Sequence, residues 1–345
     1  NTESILGYSD SGEFDPQNIP SNMRWWLDGM SREVAHAAAN GLVVGSAPGE
    51  RDAIEPLCKT KWNQAAPYNM YAPQIDGVTC PVGCAATCMA QIMYYHKWPQ
   101  SNCSKIDAYT TYTNKIYRGA LAPTTFDWDK MQETYTTATE ESKEAVAKLM
   151  NYVDQALKMD FRATSSGAWP EPSTFRNYFC YYSSARRVNR SDFTTSQWDE
   201  TIYNELKNKR PVFYVGYTPG GSGHGFICDG YDGAGLYHIN WGWGGHADGF
   251  YRLSVLNPNS TTEIGAASTD DGFTNDQSAL IGIQPDGPDN TLKLWPLSSI
   301  TYEASTRKVK LQIEAKYRGA YQVSVANIPV DGATINPLFS ATEYA

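Results

Sequence analysis

The chain has 345 residues, 41% of them hydrophobic, which is enough for a packed globule and too long for one small core. Its formal net charge is −9 and it carries no basic stripe, which argues against a nucleic-acid-binding protein. No run of about 18 apolar residues occurs, so no transmembrane helix is expected, and 23 Tyr with 10 Trp fit a secreted or periplasmic β-containing protein.

Residues 1–50 read as a lead-in without a signal-like segment, so composition alone does not assign the compartment. Pro- and Asn-rich FDPQNIPSN gives way to MRWWLDGMSREVAHAAAN, which reads as a helix closed by Asn40 and Gly41. VVGSAPGERDA is a linker, and the body begins near Ile54. Residues 84–97 predict a helix that is apolar on most sides (Ala85, Ala86, Met89, Ala90, Ile92, Met93), hence a buried one, ended by Pro99. Residues 141–158 predict an amphipathic helix with Val146, Leu149, Val153 and Leu157 on one face. A third helix is expected over 197–208, with Ser196 as its cap and Asp199 at the capping-box position.

After that helix the texture changes. PVFYVGY, GFICDGY, LYHINWGW, GFYRLSVL and SALIGIQP are short β-rich runs separated by Gly, Asp and Asn, the spacing of an antiparallel sheet. Helices first and strands second make the body α+β rather than alternating α/β. DGPDN marks a linker near residue 287, beyond which KVKLQIEAKY and YQVSVANI alternate as half-buried strands do. The expected organisation is a lead-in over 1–50, a body over 51–286 and a small β unit over 287–345.

The chemistry centres on CPVGCAATCMAQIMYYHKWP, residues 80–99. Cys80, Cys84 and Cys88 are four apart, which admits a metal clip, a set of inert core thiols, or one reactive cysteine with two bystanders. The clip would need His96 as its fourth ligand, but the second ligand pair usual in structural zinc sites is missing, and His96 reads as a C-terminal helix cap. No metal or organic cofactor is expected. Seven cysteines with no CxxC pair do not read as a disulfide framework. Cys84 differs from its neighbours: it follows Gly83 and opens the buried helix, where the macrodipole and unpaired N–H groups favour thiolate. Cys88, one turn deeper, fits helix packing, and Cys80 has no assigned role.

A nucleophilic cysteine needs a base, and the five histidines are His36, His96, His224, His238 and His246. His238 alternates inside a β run and reads as structural, and His246 lies in a Gly-rich turn. His224 is best placed, between the flexible PGGSG loop and a strand. An imidazole also needs an orienter, and HINWGWGG supplies Asn240, with Trp241 and Trp243 either covering that hydrogen bond or serving as core aromatics. An oxyanion would find the Cys84 N–H and the side-chain amide of Gln64.

These residues reach a family resemblance. KTKWNQAAPYN, VGCAATCMAQIMYYHKWP, NRSDFTTSQWDETIYNEL, GHGFICDGYDGAGLYHINWGWGGHADGFYRLSVLNP and SALIGIQP resemble, in order and spacing, the streptopain family of papain-like bacterial cysteine endopeptidases. The resemblance covers about residues 54–285 and keeps the Cys, His, Asn order of papain-like enzymes. It implies a two-lobed papain-like fold, Cys84 as nucleophile, His224 as base, Asn240 and Trp241 as the imidazole-orienting pair, and Gln64 as the oxyanion glutamine. TSSGA at 164–168 resembles a loop bordering the substrate cleft, which implies contacts from Ser166 and Gly167 to the substrate backbone. Gly225 stands where relatives carry a larger residue, which implies a looser loop. ILGYSDSGEFD resembles the end of the family's propeptide, which implies a secreted zymogen whose own propeptide inhibits it, cut within residues 41–56. The unit beyond 287 resembles, weakly, extra β-domains of secreted bacterial proteases. Protein or peptide substrates are the implied partners. Two other readings keep the scaffold: an inactive peptide-binding or adhesion module, and an enzyme passing its acyl group to an amine.

Overall fold

The computed structural model describes residues 51–99, 104–258, 263–266 and 272–285, the backbone of four strands between 297 and 344, and single positions within 24–35. Of the helix expected over 23–40, the described positions Arg24, Leu27, Asp28, Ser31 and Ala35 are helical, and the rest lies outside the described residues. The chain divides into two compact units, Asn1–Pro288 and Asp289–Ala345.

The first described strands of the first unit form a small hairpin, β1 (Gln74–Ile75) and β2 (Val78–Thr79). Its two-residue turn is Asp76-Gly77, both at positive φ, the pairing that type I′ turns select. Helix α1 (Cys84–His96) follows, and Lys97 closes it in the left-handed conformation. His96 therefore sits in the last turn rather than capping it, and its Nδ1 lies 3.1 Å from the Tyr181 hydroxyl. A second hairpin, β3 (Tyr109–Thr110) and β4 (Tyr117–Arg118), precedes α2 (Glu140–Ala156), whose Thr139 cap accepts from Ser142 N–H at 3.2 Å. Helix α3 (Pro172–Phe179), which the sequence pattern did not suggest, starts on a proline suited to a first turn. Met89, Ile92, Met93, Val146, Leu149, Val153 and Phe175 fill the core these helices share.

The β half is one antiparallel sheet ordered β5-β10-β6-β7-β8-β9. Its strands are β5 (Arg186–Asn189), β6 (Val212–Tyr217), β7 (Gly223–Tyr231), β8 (Tyr237–Asn240), β9 (Gly249–Tyr251) and β10 (Asn275–Ile281). Helix α4 (Thr195–Lys207) packs on it. Along β6 and β7 successive side chains enter different cores. Phe213, Val215 and Ile227 join the helical lobe, whereas Val212, Tyr214, Phe226 and Cys228 join Trp198, Ile202 and Leu206 of α4. A sheet covered on both faces explains why PVFYV and GFIC read as continuous apolar runs rather than alternating ones. The α+β expectation is borne out.

The capping box of α4 lies two residues earlier than expected. Thr194 accepts from Gln197 N–H at 3.2 Å, and the Gln197 side chain accepts from Thr194 N–H at 3.0 Å. Phe193 packs on Trp198 with ring centroids 5.5 Å apart, a hydrophobic staple that fixes this start, so Ser196 is already inside the helix and Asp199 pairs with Arg51. The second unit comprises two antiparallel hairpins, β11 (Leu297–Glu303) with β12 (Lys308–Ile313), and β13 (Ala320–Asn327) with β14 (Asn336–Tyr344).

Candidate active site

Gly83 sets the position of Cys84. Its φ is +88°, and a Cβ there would lie 2.7 Å from the Met159 sulfur and 2.9 Å from the Ser166 carbonyl, so only glycine fits. The sharp turn delivers Cys84, half-buried, as the first residue of α1. Cys88 faces the core, and Cys80 is fully buried. Among the described residues no cluster of three or more His, Cys, Asp or Glu side chains is arranged to hold a metal.

Strand β7 carries His224. Gly225 N–H donates to Cys84 Sγ at 3.4 Å, so the thiol contacts the strand one residue from His224. Gly225 is not a loosening of the loop: it pairs with Val215 inside the sheet, and a Cβ would meet the Phe213 ring at 2.9 Å. The His224 ring is buried among Trp243, Phe273, Phe226 and Trp241, with centroids 4.8 to 6.2 Å away. Its Nε2 lies 2.9 Å from the Trp241 carbonyl oxygen. A carbonyl only accepts, so Nε2 carries the proton in the neutral ring and Nδ1 is left as the basic nitrogen. That Nδ1 is buried without a hydrogen-bond partner.

The orienting group is thus a backbone carbonyl, not the Asn240 amide. Asn240 donates to the Thr60 carbonyl at 2.8 Å and to Gln91 Oε1 at 3.2 Å, and it accepts from Gly242 N–H at 3.0 Å. Sheet parity is the reason. Asn240 pairs with Ile227, whose side chain faces α1, whereas His224 shares the opposite face with Phe226. Trp241, one residue on, carries the carbonyl that reaches the ring. Its own N–H donates to Asp248 Oδ1 at 2.9 Å, so a carboxylate that the sequence reading missed holds this peptide in place. Burial raises Asp248 to about 6, against the stabilising bond from Trp241 N–H.

Gln64 is buried. Its main chain is fixed by Val82 N–H, which donates to the Gln64 carbonyl at 3.0 Å just ahead of α1. Its Nε2 donates to the Ile264 carbonyl at 2.7 Å. Ser166 lies against Gly83 on the neighbouring wall. Gly167 exchanges both backbone bonds with Asp160, at 2.9 and 3.2 Å, and presents an open, exposed face.

Burial pushes the Cys84 thiol up, opposed by the N–H groups of Gly225, Ala85 and Cys84 itself. It pushes His224 down to about 4, opposed by the bond to the Trp241 carbonyl. Both shifts favour the neutral thiol and the neutral imidazole.

The sequence matches the Peptidase C10 family over residues 62–251. The chain belongs to this family of cysteine peptidases. It is 34% identical to streptopain of Streptococcus pyogenes over 307 residues, 81% of this chain and 75% of streptopain. It is 33% identical to the thiol protease/hemagglutinin PrtT of Porphyromonas gingivalis over 357 residues, 94% of this chain but 40% of that much longer relative. The structure superposes on the active cysteine protease interpain A of Prevotella intermedia with a TM-score of 0.61 at 30% identity, covering 69% of this chain and 98% of interpain A. A prointerpain A fragment gives 0.60 at 28% identity, covering 79% and 86%. The papain-like fold and the resemblance to streptopain are therefore confirmed at the level of family.

Proposed function

We propose that this chain is a cysteine endopeptidase in which Cys84 is the nucleophile and His224 the general base. The observation that carries the reading is the fixed tautomer of His224. With Nε2–H spent on the Trp241 carbonyl, the free lone pair is on Nδ1, and the next residue of β7, Gly225, contacts the cysteine that opens α1 through its N–H. The thiol proton passes to Nδ1, and the sulfur attacks the scissile carbonyl carbon. The carbonyl oxygen gathers negative charge toward the Gln64 amide and the Cys84 N–H. Nδ1–H then protonates the leaving amine, and water hydrolyses the thioester.

The substrates are proteins or peptides, with an apolar residue accepted beside the scissile bond. Ser166 and the open face of Gly167 line the path of the peptide. The chain acts outside the bacterial cell and is made as a zymogen, with residues 1–50 as the end of an inhibitory propeptide, 51–286 as the peptidase and 287–345 as a separate β unit. No helix among the described residues is long and apolar enough to cross a membrane. The test is treatment with a thiol-directed epoxide, a casein cleavage assay and mass-spectrometric mapping of the adduct. Label on Cys84 with loss of cleavage is expected, and cleavage that survives Cys84→Ala would overturn the assignment.

A further inference from the structure

The Gln64 amide, assigned above to the reacting carbonyl, already holds a carbonyl, and it belongs to the chain itself. The Ile264 oxygen accepts from Gln64 Nε2 at 2.7 Å and from the indole Nε1–H of Trp243 at 3.0 Å. The next residue reaches the base. A Cβ on Gly265 would lie 3.0 Å from His224 Nδ1 and 3.8 Å from Gln64 Nε2. Gly265 has φ +85°, and the turn is closed by Ala266 N–H donating to the Glu263 carbonyl at 2.9 Å. The turn Glu263–Ala266 thus lies between the base and the amide, where a scissile peptide would have to lie.

Trp243 is buried, with its ring 4.8 Å from His224 and 5.5 Å from Trp241. When the turn leaves, the indole N–H is a buried donor with no partner, a state that is costly unless another acceptor arrives. A substrate carbonyl is the same chemical group as the Ile264 carbonyl and satisfies the same two donors. The rigid aromatic wall fixes the direction of this N–H in advance, which is what an electrostatic contribution to acyl transfer requires.

We propose that Trp243 is a second side-chain donor to the substrate carbonyl, beside Gln64, and that the Glu263–Ala266 turn fills this position in the resting enzyme. The inference rests on the peptidase reading above. Substrate enters by exchanging its own carbonyl for that of Ile264.

Trp243→Phe keeps a ring against His224 and removes only the N–H. The readouts are kcat and KM on a peptide substrate, with alkylation of Cys84 by iodoacetamide as a reaction that does not use the carbonyl site. The expected result is a fall in kcat/KM of about a hundredfold, by the size of other single-donor losses, with alkylation within about twofold of the parent chain. A kcat/KM that is unchanged or higher overturns the proposal, because the indole then only tethers the turn. If the phenylalanine variant does not fold, benzothienylalanine at position 243, the same size and without N–H, decides the case by the same two readouts. Hydrogen exchange tests the turn. The Ala266 amide should exchange faster once a peptidyl aldehyde occupies Cys84, and unchanged exchange with the aldehyde bound would refute displacement. A parent chain without peptidase activity overturns the peptidase reading and this proposal with it, whereas activity undiminished in Trp243→Phe overturns the proposal alone.

Discussion

Replacing Asn240 with alanine separates two roles for this side chain. If it orients the imidazole, as the family resemblance implied, the variant should fold normally and lose turnover. The structure gives it a different task. Asn240 is buried and ties the Thr60 carbonyl, the Gln91 amide and the Gly242 N–H into one network. The Gly242 bond is an Asx turn, which bends the chain out of β8 where Gly242 takes φ +72°. Alanine leaves the Gly242 N–H and the Thr60 carbonyl bare, at about 1–3 kcal/mol for each buried group, so the expected loss is about 4 kcal/mol. For a domain of this size that lowers Tm by on the order of 10 °C. The bond from His224 Nε2 to the Trp241 carbonyl does not pass through the Asn240 side chain. Well below the transition, kcat should therefore fall by less than about tenfold, a change of about 1.4 kcal/mol in the barrier. Thermal unfolding followed by circular dichroism, with steady-state kinetics at low temperature, reads both quantities. A parent-like Tm with kcat reduced a hundredfold or more would refute the scaffold role and restore Asn240 as the orienter.

Gly225→Ala should destabilise the chain by about 1–3 kcal/mol and lower kcat/KM, because the new methyl meets the Phe213 ring at 2.9 Å beside the base; urea denaturation and activity check both. His96 is half-buried against Tyr181, and desolvation lowers it to about 4, so it contributes stability above its ordinary value of 6.5 that is lost as pH falls through 4. That loss is about 2 kcal/mol between pH 7 and pH 5. His96→Gln keeps a partner for the Tyr181 hydroxyl and should flatten the urea midpoint over this range, while an unchanged slope would discount the histidine. Activating cleavage should fall before Arg51 rather than anywhere in 41–56. Ile54 exchanges backbone bonds with Tyr231 at 2.7 and 2.8 Å, Leu57 N–H donates to the Asp229 carbonyl at 2.9 Å, and Arg51 pairs with Asp199 and Glu200. N-terminal sequencing of the processed chain checks this, and a new terminus at 52–56 would contradict it.

Much of the fold was legible because burial leaves a mark on composition. The runs at β6 and β7 are apolar throughout since α1 and α4 cover the two faces, and α1 is apolar nearly all round since it lies between the lobes. The start of α4 was misread although its signal was present: in FTTSQW, the Phe193–Trp198 staple and Gln197 select Thr194 over Ser196 as the cap. Strand β5 is RRVN, too short and too charged to announce itself, and its place is set by pairing with β10. Cys84, His224 and Gln64 were legible as residue types in the right order. What held the imidazole was not, because it depends on strand register. Asn240 and Trp241 are adjacent in sequence but face opposite sides of the sheet, and only the pairing of Asn240 with Ile227 says which side belongs to which lobe.

That register also explains how the thiol comes to the strand that carries His224. Cys84 belongs to α1, on one face of the sheet, and the His224 ring lies with Phe226 on the other. Two groups on opposite faces of a covered sheet are separated by its backbone, except where the strand begins and side chains are absent. Gly223 and Gly225 flank His224 and supply that gap. At Gly225 the backbone itself touches the sulfur through its N–H, and a Cβ would lie 3.9 Å from the Ala85 Cα, in contact with the first turn of α1. The first turn of α1 therefore packs directly on the strand at position 225. The imidazole lies on the other face, held by the Trp241 carbonyl just after β8. A side chain at 225 must displace the Phe213 ring, 2.9 Å from a Cβ, so the glycine that the sequence suggested as slack is a close contact inside the sheet.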